Sequence, residues 1–230
     1  MKLVLIHGSG GMKESWFYQT RHFPDAEAID LPGHPQGRPC SSVDAYTEWV
    51  RGFLAGRGYR DVVLAGWSLG GAITLNYALK HPADLKGIIL TGTGARLRVL
   101  PATLQGLKAA VQDPSLWQPP GTVDYPELTE AEREALRAKQ RAIGPAVHLN
   151  DLTCCDMFDL MDQVQEIRLP ALVMCGTEDA LTPPKYSLYL AAKLPNASPT
   201  LIVEGATHGL PRERPDLVNA AIEEFLRRLR

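Results

Sequence analysis

Ser68 stands between Gly66 and Gly70 in the stretch Gly66-Trp67-Ser68-Leu69-Gly70-Gly71. The run before it, Val62-Val63-Leu64-Ala65, is apolar and of strand length, and a helical pattern follows from Leu69 to Lys80. To clear the strand's end, a hydroxyl on such a strand-turn-helix corner must sit in a strained backbone conformation. Side chains two residues away on either side would collide as the chain folds back, and glycine removes them. The oxygen then lies beside the first unpaired N–H groups of a helix, where negative charge is favoured. A serine held this way is suited to nucleophilic attack.

Such a nucleophile needs a base and a group that orients the base. The run Ala171-Leu172-Val173-Met174-Cys175 reads as a buried strand and ends in Gly176-Thr177-Glu178-Asp179. Thr200-Leu201-Ile202-Val203 reads as another and ends in Glu204-Gly205-Ala206-Thr207-His208-Gly209. Asp179 and His208 thus each follow a strand's C-terminal end, the edge at which open parallel sheets bind ligands. Ser68 is the expected nucleophile, His208 its proton acceptor and Asp179 the orienting acid. Glu178, beside Asp179, is the alternative acid.

Four motifs carry a resemblance to the α/β-hydrolase fold family: Leu5-Ile6-His7-Gly8, Asp30-Leu31-Pro32-Gly33-His34, the serine corner, and the Gly-x-x-Asp and Gly-x-x-His-Gly loops. Together they span nearly the whole chain, and serine, acid, histidine is that family's order. The Gly-Trp-Ser-Leu-Gly-Gly form is similar to that of the pimeloyl-carrier methyl ester esterases, a local likeness that bears on reaction type and not on substrate. The resemblance implies an oxyanion hole made of two backbone N–H groups, those of Leu69 and Ser9, with Gly10 in reserve. Serine in place of the aspartate of dehalogenases and epoxide hydrolases favours acyl chemistry. The resulting expectation is a hydrolase of small to medium carboxylic esters, with a small-molecule substrate and neither metal nor organic cofactor. An acyltransferase or perhydrolase, or a C–C hydrolase of ring-cleavage products, would use the same three residues. A non-enzymatic ligand receptor would have less need of all three. Gly8-Ser9-Gly10 does not continue as a dinucleotide fingerprint, because Lys13 stands where a third glycine belongs, nor as a P-loop, because Glu14 follows Lys13.

Apolar runs of strand length at 3–6, 26–29, 62–65, 87–90, 171–174 and 200–203 must position these loops. Helical patterns lie between most of them, the clearest at 42–56, and a last helix starts at Pro215. Alternation of this kind implies an α/β fold with a parallel sheet of about six strands covered on both faces. The family's usual two antiparallel strands before the His-Gly strand are missing, which leaves one sheet edge open to pairing. Residues 96–168 break the alternation and are expected to form a helical cap, with 1–95 and 169–230 as the core. Within the cap, Thr129-Glu130-Ala131-Glu132 reads as a capping box that starts a charged helix to about Ile143. Gly144-Pro145 ends that helix, and a second piece covers 150–158. Trp67 of the core and Leu97, Leu100, Trp117, Met157, Phe158 and Met161 of the cap are the candidate pocket walls.

The chain has 230 residues, a net charge of −2 and interspersed charges, which suits one domain and offers no basic block for nucleic acid. No apolar run reaches membrane-spanning length, and the one near the start is too short for a signal peptide, so a cytoplasmic protein is expected. Cys40, Cys154, Cys155 and Cys175 form no C-x-x-C and no zinc spacing, and are read as small reduced residues. Arg133, Arg137, Lys139 and Arg141 suggest an anionic carrier partner, but Glu130, Glu132 and Glu134 recast them as a salt-bridged face. His7 is expected to brace the oxyanion loop, His34 to hold a turn and His81 to cap a helix. Asp156 and Asp159 are expected to be solvated, and His22 and His148 carry no pattern.

Overall fold

The computed structural model describes residues 1–121 and 125–230. The elements run β1 (Lys2–Ile6), α1 (Phe17–His22), β2 (Glu27–Ile29), α2 (Val43–Gly56), β3 (Val62–Trp67), α3 (Leu69–Lys80) and β4 (Leu85–Thr91). They continue as α4 (Pro101–Gln112), α5 (Glu130–Met157), β5 (Ala171–Gly176), α6 (Pro184–Lys193), β6 (Leu201–Val203), α7 (Leu210–Glu213) and α8 (Pro215–Arg228). All six strands expected from the apolar runs are present. They form one all-parallel sheet in the order β2-β1-β3-β4-β5-β6. An all-parallel sheet is what the alternation of strands and helices predicts.

Alternation along the strands sorts side chains to two faces. Val4, Ile6, Val62, Leu64, Ile88, Leu90 and Val173 join one core cluster with residues of α2 and α3. Leu3, Leu5, Val63, Ala65, Ile89, Leu172 and Met174 join the other with Val218, Ile222 and Phe225 of α8. Both faces are covered, so β3 and β5 are buried along their whole length and read in the sequence as unbroken apolar runs. The edge strands β2 and β6 are only three residues long, which limits the exposed ladder. The helix at 42–56 starts where its cap requires: the Ser42 hydroxyl accepts from the Ala45 N–H at 3.0 Å.

The chain leaves β1 toward β2 and returns on β1's other side as β3. That reversal of direction opens a crevice at the C-terminal ends of β1 and β3. The loop after β1 and the corner after β3 therefore meet there.

Between β4 and β5 the chain makes α4 and α5. Its two ends zip together: Leu97 N–H donates to Phe158 O at 3.4 Å, and Leu160 N–H to Ala95 O at 2.7 Å. The expected capping box is formed, with Thr129 Oγ1 accepting from Glu132 N–H and Glu132 reaching back to Thr129 N–H. Gly144 alone leaves helical space, at φ 76° and ψ 168°, and divides α5 into two helices. The second resumes at once, several residues before the expected 150. Pro145 has its φ preset for a first helical position and lacks only an N–H that would be unpaired there. Among the described residues, no helix is long and apolar enough to cross a membrane.

Candidate active site

β3 delivers Ser68 with φ 56° and ψ −117°, a conformation an L side chain rarely adopts. The flanking glycines are sterically required. A Cβ on Gly66 would lie 2.0 Å from Gly70 O, and one on Gly70 would lie 2.3 Å from Ile6 O. The backbone is held from outside the corner too: Ser68 N–H donates to Thr91 O at 3.0 Å, and Thr93 Oγ1 donates to Ser68 O at 2.9 Å.

The loops after β5 and β6 bring Asp179 and His208 together. His208 Nδ1 lies 2.8 Å from Asp179 Oδ2. The buried carboxylate accepts three more hydrogen bonds: Leu181 N–H (2.9 Å) and Thr182 N–H (2.8 Å) on Oδ1, and the Thr182 hydroxyl (2.8 Å) on Oδ2. Burial alone would raise its pKa, but the bonds from His208 and Thr182 outweigh burial and hold the carboxyl below the usual carboxylate range. Thr182 has no part in the sequence analysis. Its signal was the Asp-x-x-Thr spacing, at which a side chain returns to cap its own turn. Glu178 is exposed, and among the described residues its carboxylate makes no hydrogen bond.

In the loop after β1, Gly8 O accepts from Gly11 N–H at 3.1 Å and lies 2.8 Å from His7 Nδ1. His7 Nε2 accepts from Leu31 N–H at 3.1 Å, so the ring proton is on Nδ1 and that nitrogen donates to Gly8 O. The Gly8–Ser9 peptide is trans, so with its oxygen held on one side the Ser9 N–H points to the other. Gly8 itself sits against Ser68: a Cβ there would be 3.1 Å from Ser68 Cβ. Among the described residues neither the Ser9 N–H nor the Leu69 N–H, at the first position of α3, has an acceptor. Gly10 N–H is bound to Asp151 Oδ2 at 2.8 Å and is therefore occupied.

Burial, followed by the neighbouring charge of His34, pushes the His7 pKa down from 6.5 to about 3. The unfolded chain binds a proton in that window and the folded chain does not, so His7's contribution to stability is complete above about pH 6.5. It is lost as pH falls toward 3, up to roughly 4–5 kcal/mol. Chemical denaturation as a function of pH should show this one-proton slope in the parent, and its loss in His7→Asn.

Ser68, His208, Trp67, Ser9, Gly8 and Leu97 line a cavity of about 690 Å³, within the range of small-molecule sites. Leu100 and Leu181 form exposed apolar parts of its rim, with Arg98, Lys185 and Arg212 beside them. Asp179 stands behind His208 rather than in the cavity. Four expected pocket walls are elsewhere. Met157 points to solvent, 72% exposed at the end of α5, and Phe158 is buried in the main core cluster. Met161 packs against that same cluster, since the neck that closes the insertion turns both into the body of the protein. Trp117 stands one layer back, packed on Met12, Tyr125 and Ile143, with its indole N–H donating to His148 Nδ1 at 3.3 Å. His148, which no pattern singled out, takes its place on the cavity wall; its proton is then on Nε2, and burial holds its pKa below the ordinary value.

The basic residues of α5 are engaged within the molecule. Arg133 and Arg137 pair with Glu130, Arg137 and Arg141 with Glu134, and Lys139 with both Glu14 (2.7 Å) and Asp30 (2.9 Å). His81 Nε2 lies 2.8 Å from Glu48, and Asp156 and Asp159 bind Arg98 and the Val99 N–H rather than water alone.

Comparison with known proteins places this geometry in context. A family model described as the alpha/beta hydrolase family matches residues 3–221. The chain is 27% identical to a pimeloyl-[acyl-carrier protein] methyl ester esterase of Neisseria meningitidis serogroup C over 227 residues, covering 90% of this chain and 86% of that one. It is 28% identical to a 2-hydroxy-6-oxononadienedioate/2-hydroxy-6-oxononatrienedioate hydrolase of Burkholderia vietnamiensis, covering 98% and 87%. Among solved structures, a thermophilic esterase superposes with a TM-score of 0.75 at 32% identity, covering 99% of this chain and 90% of that chain.

Proposed function

The chain belongs to the alpha/beta hydrolase family, and on that premise we propose that it is a serine hydrolase that cleaves small to medium carboxylic esters through an acyl-enzyme. One observation carries the reading. A serine in a strained corner shares a cavity with a histidine whose far nitrogen is tied to a buried, fully hydrogen-bonded carboxylate.

In this reading Ser68 Oγ attacks the ester carbonyl while His208 Nε2 accepts its proton. Asp179 keeps the other proton on Nδ1, so that Nε2 has a lone pair to offer, and stabilises the imidazolium that forms. The carbonyl oxygen becomes an oxyanion between the Ser9 and Leu69 N–H groups, where the N-terminus of α3 adds favourable potential. His208 then gives its proton to the departing alcohol. Water, deprotonated by His208 in turn, attacks the acyl-enzyme and releases the acid. Leu97, Leu100, Leu152 and Leu181 supply an apolar wall, which suits an apolar acyl or alcohol part. The esterase names carried by the relatives support the same reaction class.

The test is incubation with a fluorophosphonate followed by peptide mapping, together with a panel of p-nitrophenyl esters of graded chain length. Covalent label at Ser68 and turnover that rises and then falls with chain length are the expected outcomes. An unlabelled Ser68 would sink the proposal and favour a binding protein. Products formed with added alcohol, thiol or peroxide would separate hydrolysis from acyl transfer.

A further inference from the structure

Outside the residues assigned to the reaction, a buried polar cluster lies against the oxyanion loop. Asp151, in the second helix of α5, is fully buried. It accepts from three parts of the chain: Gly10 N–H (2.8 Å) and His34 Nε2 (2.8 Å) on Oδ2, and the Tyr46 hydroxyl (2.9 Å) on Oδ1. We propose that Asp151 is a positioning residue, which holds the oxyanion loop in register with Ser68 and makes the hole complete only when the second helix of α5 is seated. This inference rests on the serine-hydrolase reading.

The histidine at the centre of the cluster is bonded on both sides. His34 Nδ1 lies 3.2 Å from both Leu31 O and Pro32 O, and Nε2 faces the Asp151 carboxylate. The two carbonyls are acceptors, so Nδ1 carries a proton, and Nε2 shares a hydrogen bond with the Asp151 carboxyl. His7, whose ring is 4.6 Å from that of His34, accepts at Nε2 from Leu31 N–H and stays neutral. A histidine and a carboxyl, hydrogen-bonded to each other, are thus enclosed together.

Burying such a pair is a poor way to gain stability, since apolar residues of the same volume commonly do as well or better. Its geometry has another consequence. Ser9 is flanked by two peptide units, and each is pinned. The Gly8–Ser9 unit is held through Gly8 O by His7 and Gly11 N–H. The Ser9–Gly10 unit is held through Gly10 N–H by Asp151. With both planes fixed, the direction of the Ser9 N–H is fixed before substrate arrives, which is the condition for electrostatic stabilisation without reorganisation. Gly10 adopts φ 59°, so no side-chain preference of its own holds the loop in place. The ring of His148, one turn before Asp151 on the same helix, closes over Gly10: a Cβ there would be 3.0 Å from His148 Cγ.

The experiment compares the parent with Asp151→Ala, Asp151→Asn and Tyr77→Phe. The last removes a hydroxyl that binds Asp84 at a distance from the site and serves as the control for losing a part-buried hydrogen bond. Hydrolysis of p-nitrophenyl butyrate is measured per Ser68 site titrated to completion with fluorophosphonate, alongside inhibition by an alkyl trifluoromethyl ketone, whose adduct places an oxyanion in the hole. Asp151→Ala is expected to lower kcat by roughly 10- to 100-fold with KM within about twofold, and to weaken the ketone by a similar factor. Asp151→Asn keeps an acceptor for Gly10 N–H but a weaker one, so a loss of roughly 3- to 10-fold is expected. Tyr77→Phe is expected to lower Tm and leave both kinetic readouts unchanged. Parent-like kcat and ketone affinity in folded Asp151→Ala would overturn the proposal. If that variant does not fold, parent-like values in Asp151→Asn would do the same. A parent that fails to label at Ser68 would remove the hydrolase reading and this one with it, whereas a labelled, active parent isolates the result to Asp151.

Discussion

Ser68→Ala is expected to lower kcat for ester hydrolysis by roughly a millionfold, the scale seen when a serine nucleophile of this type is removed. The substitution deletes one atom, Oγ, that makes no hydrogen bond needed by the fold. The bonds that hold the corner, Ser68 N–H to Thr91 O and Thr93 Oγ1 to Ser68 O, involve only backbone atoms of residue 68. Alanine meets the same positive φ that serine does, so the strain is unchanged. Circular dichroism and Tm should therefore match the parent while turnover of a p-nitrophenyl ester falls to the background set by the hole and binding alone. Comparable rates in the two proteins would remove Ser68 from the chemistry.

Asp179→Asn is expected to cost about 10⁴-fold in kcat, as in other triads with an intact geometry and the wrong histidine tautomer. The direction follows from the four donors around the carboxylate. Oδ1 receives two backbone N–H groups, from Leu181 and Thr182, which cannot rotate away. An asparagine must turn its oxygen toward those two donors, which leaves its NH₂ facing His208 Nδ1. The histidine must then accept at Nδ1 and carry its proton on Nε2, where it can no longer take one from Ser68. Glu178 offers no relief, being exposed and outside this arrangement. The pH–rate profile and the hydroxyl reactivity of Ser68 toward fluorophosphonate check the result. A loss below tenfold would show that another group orients His208.

The parts of the site that were readable in advance share a physical property: the constraint that reveals them is local. Gly66, Ser68 and Gly70 are legible because a sharp corner excludes a Cβ at the second residue on either side of Ser68. Asp179 and His208 are legible because each follows a short buried strand at its C-terminal end. His7 is legible because a histidine next to a glycine turn has its backbone acceptor one residue away, and the observed bond to Gly8 O is of that kind. The two helices of α5 were separable because Gly144 and Pro145 are strong local signals, although where the second began was not.

What stayed unreadable depended on packing between distant parts. Met157, Phe158 and Met161 looked like pocket walls because they are large and apolar. Which way each points is set by the neck at Ala95–Leu97 and Phe158–Leu160, a pairing across the entire insertion. Asp151 resembled any helix acid. Its partners Gly10, His34 and Tyr46 lie 141, 117 and 105 residues away, so no periodicity or spacing could nominate it.

The amino-acid order by itself thus determined the six strands, the corner at Ser68 and the loops bearing Asp179 and His208, since steric exclusion and alternation act between near neighbours along the chain. Only the tertiary structure decided the cavity wall, the part of His148 and the burial of Asp151 against the loop after β1. Those follow from which helix face packs inward, and that choice is made by the summed contacts of segments that meet only once the chain has folded.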